Sequence, residues 1–197
     1  MPHLSSRDAR EAVSAVAVLA ALTADVVQDG SLSRWERTLL ARPAPAAAWW
    51  RAITATGDAP TLLIATGVGT AAAALRRDSL VAPGLTVLAG VLARSALCRA
   101  VSRTRPPQEW WQQEPTGHSF PSRHTTWAAL AAGAVVDAAP ARLRPAAVAA
   151  EMSLLSLVGA SRVRLGMHWP TDVAAGLLTA VGCRALGRLN AGRRRYA

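Results

Sequence analysis

The sequence predicts an all-α, polytopic membrane protein with about six transmembrane helices and a short amphipathic outer helix. Three observations predict it: 51% of the 197 residues are hydrophobic, the apolar residues fall into six runs, and arginines gather at the ends of those runs. The formal charge is +10, and every one of the 22 basic residues is Arg. Because charged residues make up only 17%, a disordered chain is excluded. Two cysteines, Cys98 and Cys183, are too few for a disulfide scaffold.

Six apolar runs supply the predicted transmembrane helices. A helix that spans a bilayer needs about 20 mainly apolar residues, with about 17 as the lower limit, and the middle runs are close to it. Their Ala and Gly residues favour close packing of helices in lipid. A soluble all-α bundle with buried helices is the alternative. In order, the runs cover about Glu11–Gln28, Ala59–Leu75, Leu80–Cys98, His124–Ala139, Pro145–Ala160 and Thr171–Leu189.

The amphipathic outer helix is predicted at Ser31–Leu40. Leu32, Trp35 and Leu39 fall on one helical face, and Arg34 falls on another. This pattern is typical of a helix at the membrane surface, and an ordinary surface helix is the alternative. An aromatic belt at the same level is expected from the tryptophans in and near the outer connections. They are Trp49, Trp50, Trp110, Trp111, Trp127 and Trp169.

Arginine placement indicates the topology. If both termini are cytoplasmic, the inner connections are short and basic, as the positive-inside rule expects. We therefore expect a multi-pass protein of the cell (inner or plasma) membrane. The outer connections also contain arginines, and these need another role. The inner arginines are Arg7, Arg10, Arg76, Arg77, Arg142, Arg144, Arg184, Arg188 and Arg193–Arg195.

A histidine and a carboxylate stand four residues apart in the last outer connection. Pro170 is suited to the first turn of a helix, which places His168 just before that helix and Asp172 in its first turn. At this spacing the carboxylate can hold one imidazole nitrogen, which makes the other a better nucleophile or base. A purely structural His–Asp contact is the alternative.

Two further polar groups lie in the preceding outer connection. Ser119–Thr126 contains His124 and comes directly before an apolar run, so a helix N-terminus with unpaired N–H groups would face outward. The end of the third run carries an arginine cluster whose planar guanidinium groups suit phosphate oxygens. Contact with lipid headgroups is the alternative use of such a cluster. Together, the three groups indicate phosphoryl transfer at the outer face.

The motifs resemble those of the type-2 phosphatidic acid phosphatase superfamily, in its integral-membrane bacterial lipid phosphatase branch. The family's third motif is Ser-Arg, five residues, His, three residues and Asp, and it matches Ser161, Arg162, His168 and Asp172 without a gap. The second motif, Pro-Ser-Gly-His, appears as Pro121-Ser122-Arg123-His124. The first motif, Lys, six residues and Arg-Pro, matches at Arg105-Pro106, with Cys98 at the Lys position and Arg99 beside it.

The resemblance implies a role for each matched residue. His168 would be the nucleophile that forms a phosphohistidine, Asp172 would orient it, and His124 would act as general acid and base. Phosphate would be bound by Arg105 and Arg162, by Arg99 in place of the missing Lys, and by backbone N–H groups near Ser122 and Arg123. The remaining candidates are His118, Ser161 and Arg103. His118 is among them because Pro115–Ser119 is a second copy of the second motif. The resemblance implies neither cofactor nor metal.

The function expected from the resemblance is a metal-independent membrane lipid phosphatase. It would hydrolyse a phosphomonoester or diphosphate of a lipid, of the polyprenyl (pyro)phosphate or phosphatidic acid class, with residues 1–197 as a single domain and a catalytic core at about 94–189. The alternative is a catalytically degenerate member that binds anionic lipid or a partner protein, because Arg123 replaces Gly and the Lys is missing. Nucleic acid is not an expected partner, since the arginines stand at span ends rather than along a soluble face.

Overall fold

The computed structural model describes residues 6–43, 45–46, 48–75 and 81–194. Within these ranges the regular structure is helical, which confirms the predicted fold class. Single turns of 3-10 helix lie at Gln108–Trp110 and Ala141–Leu143. The α-helices are α1 (Ser6–Val27), α2 (Ser31–Leu39), α3 (Ala48–Ala55), α4 (Ala59–Leu75), α5 (Val81–Val101), α6 (Arg123–Ala138), α7 (Arg144–Arg164) and α8 (Pro170–Arg194).

The six predicted runs correspond to the six long helices, α1 and α4 to α8. The polar segment with Arg7 and Arg10 is helical, because α1 begins at Ser6 rather than near Glu11. The short helix α3 follows α2 and carries Trp49 and Trp50. The expected inner turn at Arg76–Arg77 and the tail residue Arg195 lie outside the described residues.

Helix α6 occupies the centre of the bundle and packs against α4, α5, α7 and α8. Its run Ala128–Ala131 is almost completely buried, and it forms the core with small and aliphatic side chains of α4, α7 and α8. Small side chains let helix backbones approach closely, so one Ala-rich helix can contact four neighbours. Helix α8 also packs along α1, and Arg188 joins the two through Asp8 (2.8 Å) and Glu11 (2.9 Å).

Two segments of the described chain are long and apolar enough to cross a membrane, Pro83–Val101 and Ala141–Arg164. The number rises to four if α1 with α2 and α3 with α4 are each counted as one span, although these pairs are bent by 70° and 41°. Helix α6 has only 16 residues, and α8 carries Arg184 and Arg188. The count of six spans therefore stays a prediction.

Large apolar side chains cover the outside of the bundle. Val13 of α1, Leu63 and Ile64 of α4 and Leu92 of α5 are each more than half exposed. Apolar surface of this extent on several adjacent helices is typical of contact with lipid. This surface and the bundle's Ala-rich interior agree with a membrane location.

Helix α2 packs on the bundle through its polar face and exposes its apolar face, the reverse of a helix on a soluble protein. Its apolar residues Leu32, Trp35 and Leu39 are 46%, 60% and 61% exposed, whereas the polar residues Ser33 and Glu36 are buried against the bundle. A helix on a soluble protein buries the opposite face. This orientation agrees with the predicted membrane-surface helix and disfavours the ordinary surface helix.

The tryptophans do not all form the expected belt. Trp35 and Trp49 are more than half exposed, and Trp49 stacks on Trp50 with ring centroids 4.0 Å apart. Trp169 is buried, and its ring packs edge-on against Trp110 at 6.2 Å. The belt prediction was wrong for Trp169, because the turn that carries it folds into the bundle.

Candidate active site

The turn between α7 and α8 presents His168 at one end of the bundle. Helix α7 ends with N–H donation from Leu165 to the Ser161 carbonyl (2.9 Å) and from Met167 to that of Arg162 (3.0 Å). Gly166 adopts a positive φ of 68°, and a Cβ there would lie 2.1 Å from the Trp110 carbonyl oxygen. Glycine is therefore required at this turn, which directs His168 inward.

Asp172 faces His168 from the first turn of α8, as the spacing predicts. The distance from its Oδ2 to His168 Nδ1 is 3.5 Å, and both side chains are buried. The same Oδ2 accepts hydrogen bonds from the Trp169 N–H (2.9 Å) and the Ser119 hydroxyl. Three donors around one oxygen hold the carboxylate in place, so Asp172 can orient the imidazole and stabilise positive charge on it.

Arg105 lies against the other nitrogen of the same ring. Its Nη1 is 3.3 Å from His168 Nε2 and donates to the Met167 carbonyl (2.6 Å). The remaining N–H groups donate to the carbonyls of Thr116 (3.0 Å), Gly117 (3.0 Å) and His118 (3.3 Å). The guanidinium is thus fixed beside Nε2, where it can contact a phosphoryl group bound to that nitrogen.

Burial lowers the pKa of Arg105, and the neighbouring cations Arg94 and Arg123 lower it further, while Asp172 acts in the opposite direction. Arg105 still carries its charge at neutral pH, since an arginine titrates far above that range. Cations held this close repel one another, and an anion bound among them would relieve that repulsion. The arrangement is therefore suited to a phosphate group.

The pKa of His168 is lowered to about 4, first by burial and then by the charges of Arg162 and Arg105, against the opposing effect of Asp172. His168 is therefore neutral at physiological pH, as a nucleophile must be. For the phosphatase reaction that the motifs imply, we expect protonation of His168 to lower kcat/KM only near pH 4 and not near 6.5, the ordinary histidine value. Initial rates across pH 3.5–8 on folded protein check this, and a decline centred at pH 6.5 would contradict it.

The same shift has a consequence for stability. Between pH 6.5 and about 4, His168 binds a proton in the unfolded chain but not in the folded one. Protons therefore favour the unfolded state in this window, and the free energy of unfolding falls as the pH decreases. The pH profile must for this reason be corrected for the folded fraction at each point.

Arg162 enters the site from the last turn of α7. It is almost completely buried, and its Nη1 donates to the Thr54 hydroxyl (2.8 Å) and to Gln113 Oε1 (3.1 Å). Its Nε is buried and has no hydrogen-bond partner among the described residues. A buried donor without a partner is costly unless a ligand accepts from it. Arg162 is thus suited to hold an oxyanion.

His124 stands in the first turn of α6, and Asp58 contacts it from the turn before α4. The distance from His124 Nε2 to Asp58 Oδ1 is 2.9 Å. This turn approaches the α6 backbone so closely that a Cβ on Gly57 would lie 2.5 Å from the His124 carbonyl oxygen. Asp58 therefore fixes the ring of His124 and leaves Nδ1 for proton transfer.

The N-terminus of α6 meets α8 at the site. Ser122 caps α6 by accepting from the Thr125 N–H (3.5 Å) and hydroxyl (3.0 Å), and its own N–H donates to the Asp172 carbonyl (2.9 Å). Ser122 thus holds two elements of the site together, and its N–H already has an acceptor. The N–H groups of Arg123 and His124 have no preceding turn to donate to, as at every helix start.

Arg123 takes the place of the family's glycine without strain. Its φ is not positive, and its guanidinium lies over the Trp127 ring, 5.2 Å from the centroid. The side chain is thus directed along α6 by a cation–π contact. The backbone geometry at this position does not require glycine.

Four of the candidate residues are exposed or have their polar groups occupied by other contacts. Arg99 is exposed, whereas Cys98 beside it is buried. His118 is exposed and contributes its carbonyl rather than its ring. The Ser161 hydroxyl is buried and donates to the Val158 carbonyl (2.6 Å). Arg103 binds two carboxylates, Glu36 and Asp172. The structure brings together His168, Asp172, His124, Arg105 and Arg162. The phosphate-binding roles stay predictions.

Three charged residues of the site were not predicted from the sequence. Glu36 arrives from α2, Asp58 from the turn before α4, and Arg94 from α5. Arg94 Nε donates to the Pro121 carbonyl (3.1 Å), directly before the α6 cap. Arg94 stands one helical turn before Cys98, which occupies the position of the missing Lys. A search for a cation four residues before that position would have found it. Glu36 and Asp58 have no comparable signal, because they are distant in sequence from the motifs.

Among the described residues, no three His, Cys, Asp or Glu side chains are grouped so that they could hold a metal ion. The polar groups at this end of the bundle are instead two histidines, their carboxylate partners and several arginines. Such a set can supply a nucleophile, a proton donor and oxyanion contacts.

Fold and site together define a class of protein: an all-helical membrane protein whose buried histidine–carboxylate pair lies among arginines at one end of the bundle. Residues 79–194 match the PAP2 superfamily, and the chain belongs to that superfamily. This family is the one that the three motifs resemble.

Known proteins support the same assignment. The crystal structure of a transmembrane PAP2-type phosphatidylglycerolphosphate phosphatase from Bacillus subtilis has a similar fold, with a TM-score of 0.73 and 22% identity over 95% of this chain and 98% of that one. Phosphatidylglycerophosphatase B of Escherichia coli K12 and that of Shigella flexneri are each 41% identical over 72 residues. That segment is 34% of this chain and 26% of theirs, so the match covers about a quarter of these relatives.

Proposed function

We propose that this chain is a membrane lipid phosphatase that works through a phosphohistidine on His168. The observation that carries the proposal is the setting of one imidazole ring: Asp172 faces Nδ1, and Arg105 lies 3.3 Å from Nε2. With the Nδ1 proton directed to the carboxylate, Nε2 carries the lone pair, which faces Arg105 and is free to attack phosphorus once the guanidinium donates to the phosphoryl oxygens instead. Membership of the PAP2 superfamily and the names of the relatives support the same reaction class.

The proposed reaction has two steps. In the first, Nε2 of His168 forms a bond to phosphorus, the bond from phosphorus to the lipid oxygen breaks, and His124 gives that oxygen a proton. In the second, water loses a proton to His124 and attacks phosphorus, and the N–P bond breaks to release phosphate. Arg105 and Arg162 bind the phosphoryl oxygens in both steps, and Asp172 stabilises the positive charge on the modified ring.

The substrate is a lipid phosphate whose chains stay in the bilayer. Phosphatidylglycerophosphate is the first substrate to test, because the curated relatives and the Bacillus subtilis protein carry that activity in their names. Phosphatidic acid and polyprenyl diphosphate, the substrate classes expected from the motifs, are the second and third. All three present a terminal phosphate that suits the arginines at this end of the bundle.

The active site is proposed to face the outside of the cell membrane, with both termini in the cytoplasm. Arg142 then lies in a short inner connection between α6 and α7, and Arg144 begins α7 at the same end, in agreement with the positive-inside rule. A single cysteine at Glu114, in a variant without Cys98 and Cys183, should react with an impermeant maleimide on intact cells. Labelling only after permeabilisation would reverse the orientation.

The function is tested by phosphate release from the purified protein in detergent with EDTA. Each of the three lipid phosphates is offered at equal surface concentration, and vanadate, a mimic of the pentacoordinate phosphoryl centre, should inhibit. Turnover of at least one substrate is the expected result. A folded protein that releases no phosphate from any of them would overturn the proposal and favour the catalytically degenerate reading.

Replacing His124 with Ala should lower hydrolysis of an alkyl phosphate by about 10²–10³-fold, because the leaving alkoxide loses its proton donor. p-Nitrophenyl phosphate should be affected far less, since its leaving group needs no proton. The matched control is His118→Ala, which removes the exposed histidine of the second motif copy and should leave both rates unchanged. Equal losses on both substrates, or a loss in the His118 variant, would contradict the assignment.

A further inference from the structure

Helix α2 directs a carboxylate into the bundle behind the candidate catalytic pair. Glu36 is 2% exposed. Its Oε1 contacts the Arg103 guanidinium and accepts from the Thr171 hydroxyl (2.9 Å), while its Oε2 accepts from the Thr171 N–H (3.0 Å). Both oxygens are therefore satisfied by groups that lie directly beside Asp172.

Arg103 connects this carboxylate to Asp172. Its Nη1 is 2.7 Å from Asp172 Oδ1, its Nη2 contacts Glu36, and its guanidinium lies 5.7 Å from the centroid of the Trp169 ring. Burial acts to lower the pKa of Arg103, but the two carboxylates outweigh it and raise the pKa above the ordinary value. A continuous buried line thus runs from Glu36 through Arg103 and Asp172 to His168.

The charges along this line explain how Glu36, the second carboxylate, affects the charge that acts on His168. Asp172 and Arg103 alone form a neutral pair, which would leave a positively charged His168 with little net stabilisation. Glu36 neutralises Arg103, so that the negative charge of Asp172 acts on the imidazole. The other charged or titratable groups that face the ring are Arg105, Arg162 of α7 and His124 of α6. Apart from His124, these are cations, so Asp172 is the anion that opposes them.

We infer that Glu36 is a positioning residue for the phosphatase reaction, acting on His168 through Arg103 and Asp172 without touching the substrate. The inference rests on the proposed function. A buried ion pair alone is weak evidence for a role beyond folding. What distinguishes Glu36 is that its partner arginine holds the oxygen of Asp172 opposite the one that faces His168.

Glu36→Gln removes the charge and keeps the size of the side chain. With Arg103 no longer neutralised, less negative charge acts on His168, so its protonated form is destabilised. We expect the acid limb of the pH–rate profile to move to lower pH by about one unit. This is the size of effect that one charge exerts inside a protein on a group two side chains away. The value of kcat should fall about tenfold with little change in KM, because one pKa unit corresponds to a tenfold change in equilibrium.

Two further variants separate positioning from folding. Glu36→Asp keeps the charge and should restore the position of the acid limb, even where kcat recovers only in part. Asp29→Asn is the matched control, because it removes a carboxylate that pairs with Arg37 of the same helix at an exposed site. It should leave the rate and the acid limb unchanged. Thermal unfolding of each variant gives the folded fraction by which the rates are corrected.

A measurement independent of turnover keeps this inference separate from the proposed function. The His168 ring is titrated by NMR in protein labelled with 15N histidine, and its pKa should be lower in Glu36→Gln than in the unaltered protein and in Glu36→Asp. If the protein releases no phosphate, the proposed function fails and the titration still decides the role of Glu36. Unchanged titration and an unchanged acid limb in Glu36→Gln, or a change in KM alone, would overturn the inference.

Discussion

His168→Ala is expected to lower phosphate release by about four orders of magnitude or more, the scale on which loss of a covalent nucleophile acts. The residual rate should be that of water attacking a phosphate still held by Arg105 and Arg162. Because His168 is buried in a turn and not in a helix, the substitution should leave the bundle folded. Initial rates with a saturating lipid phosphate check the first point, and thermal unfolding checks the second.

The same variant tests the covalent step directly. Incubation with a lipid labelled with 32P at its terminal phosphate, followed by an alkaline quench, should leave label on the unaltered protein, since phosphohistidine survives base and is lost in acid. His168→Ala should carry no label, and His118→Ala should carry the normal amount. Full activity in His168→Ala, or label that persists in it, would show that another group is the nucleophile.

Asp172→Asn is expected to lower kcat by about 10³–10⁴-fold, comparable to other catalytic histidines whose orienting carboxylate is replaced by an amide. An amide carries no negative charge, so the charged form of the ring loses its stabilisation. Its NH2 group can also face Nδ1 in place of an oxygen, so the tautomer with the proton on Nδ1 is no longer favoured. KM should change much less, because Arg105 and Arg162 remain. Steady-state kinetics with phosphatidylglycerophosphate separate the two parameters.

Asp172 also binds Arg103, so stability must be measured beside the rate. Asp137→Asn is a suitable control, since Asp137 is a half-exposed carboxylate 3.8 Å from Arg184, far along α6 from the site. It should leave kcat unchanged. If Asp172→Asn retained more than about a tenth of the rate while folded, Asp172 would be a structural partner of Arg103 rather than the orienting group of His168.

The sequence was informative where chemistry is local. His168 lies two residues before α8 and Asp172 lies in its first turn, so their contact depends only on one short stretch of chain. The cap of α6 by Ser122 could likewise be inferred, because an N-cap depends on residues within one turn. The six long helices followed from apolar runs, and the structure places each at nearly the expected position.

Contacts between distant segments could not be inferred in this way. The arginine cluster at the end of α5 showed that cations gather there. It did not show that Arg99 is exposed, that Arg103 binds carboxylates or that, of the three, Arg105 contacts His168. Those directions depend on where α5 ends and on the path of the following loop. Glu36 is 67 residues from Arg103, and only the inverted docking of α2 brings the two together.

The inverted orientation of α2 gives the proposed enzyme a dependence on its surroundings. The docked helix leaves Leu32, Trp35 and Leu39 uncovered by protein, which is unfavourable in water and favourable in a lipid headgroup layer. Stripping lipid from the protein therefore weakens the seating of the same helix that carries Glu36. Replacing the three apolar residues with polar ones to improve solubility would remove the contacts between α2 and the bilayer. None of the side chains of the proposed reaction would be changed by this substitution. Nanodiscs are for this reason the more faithful setting for kinetic work.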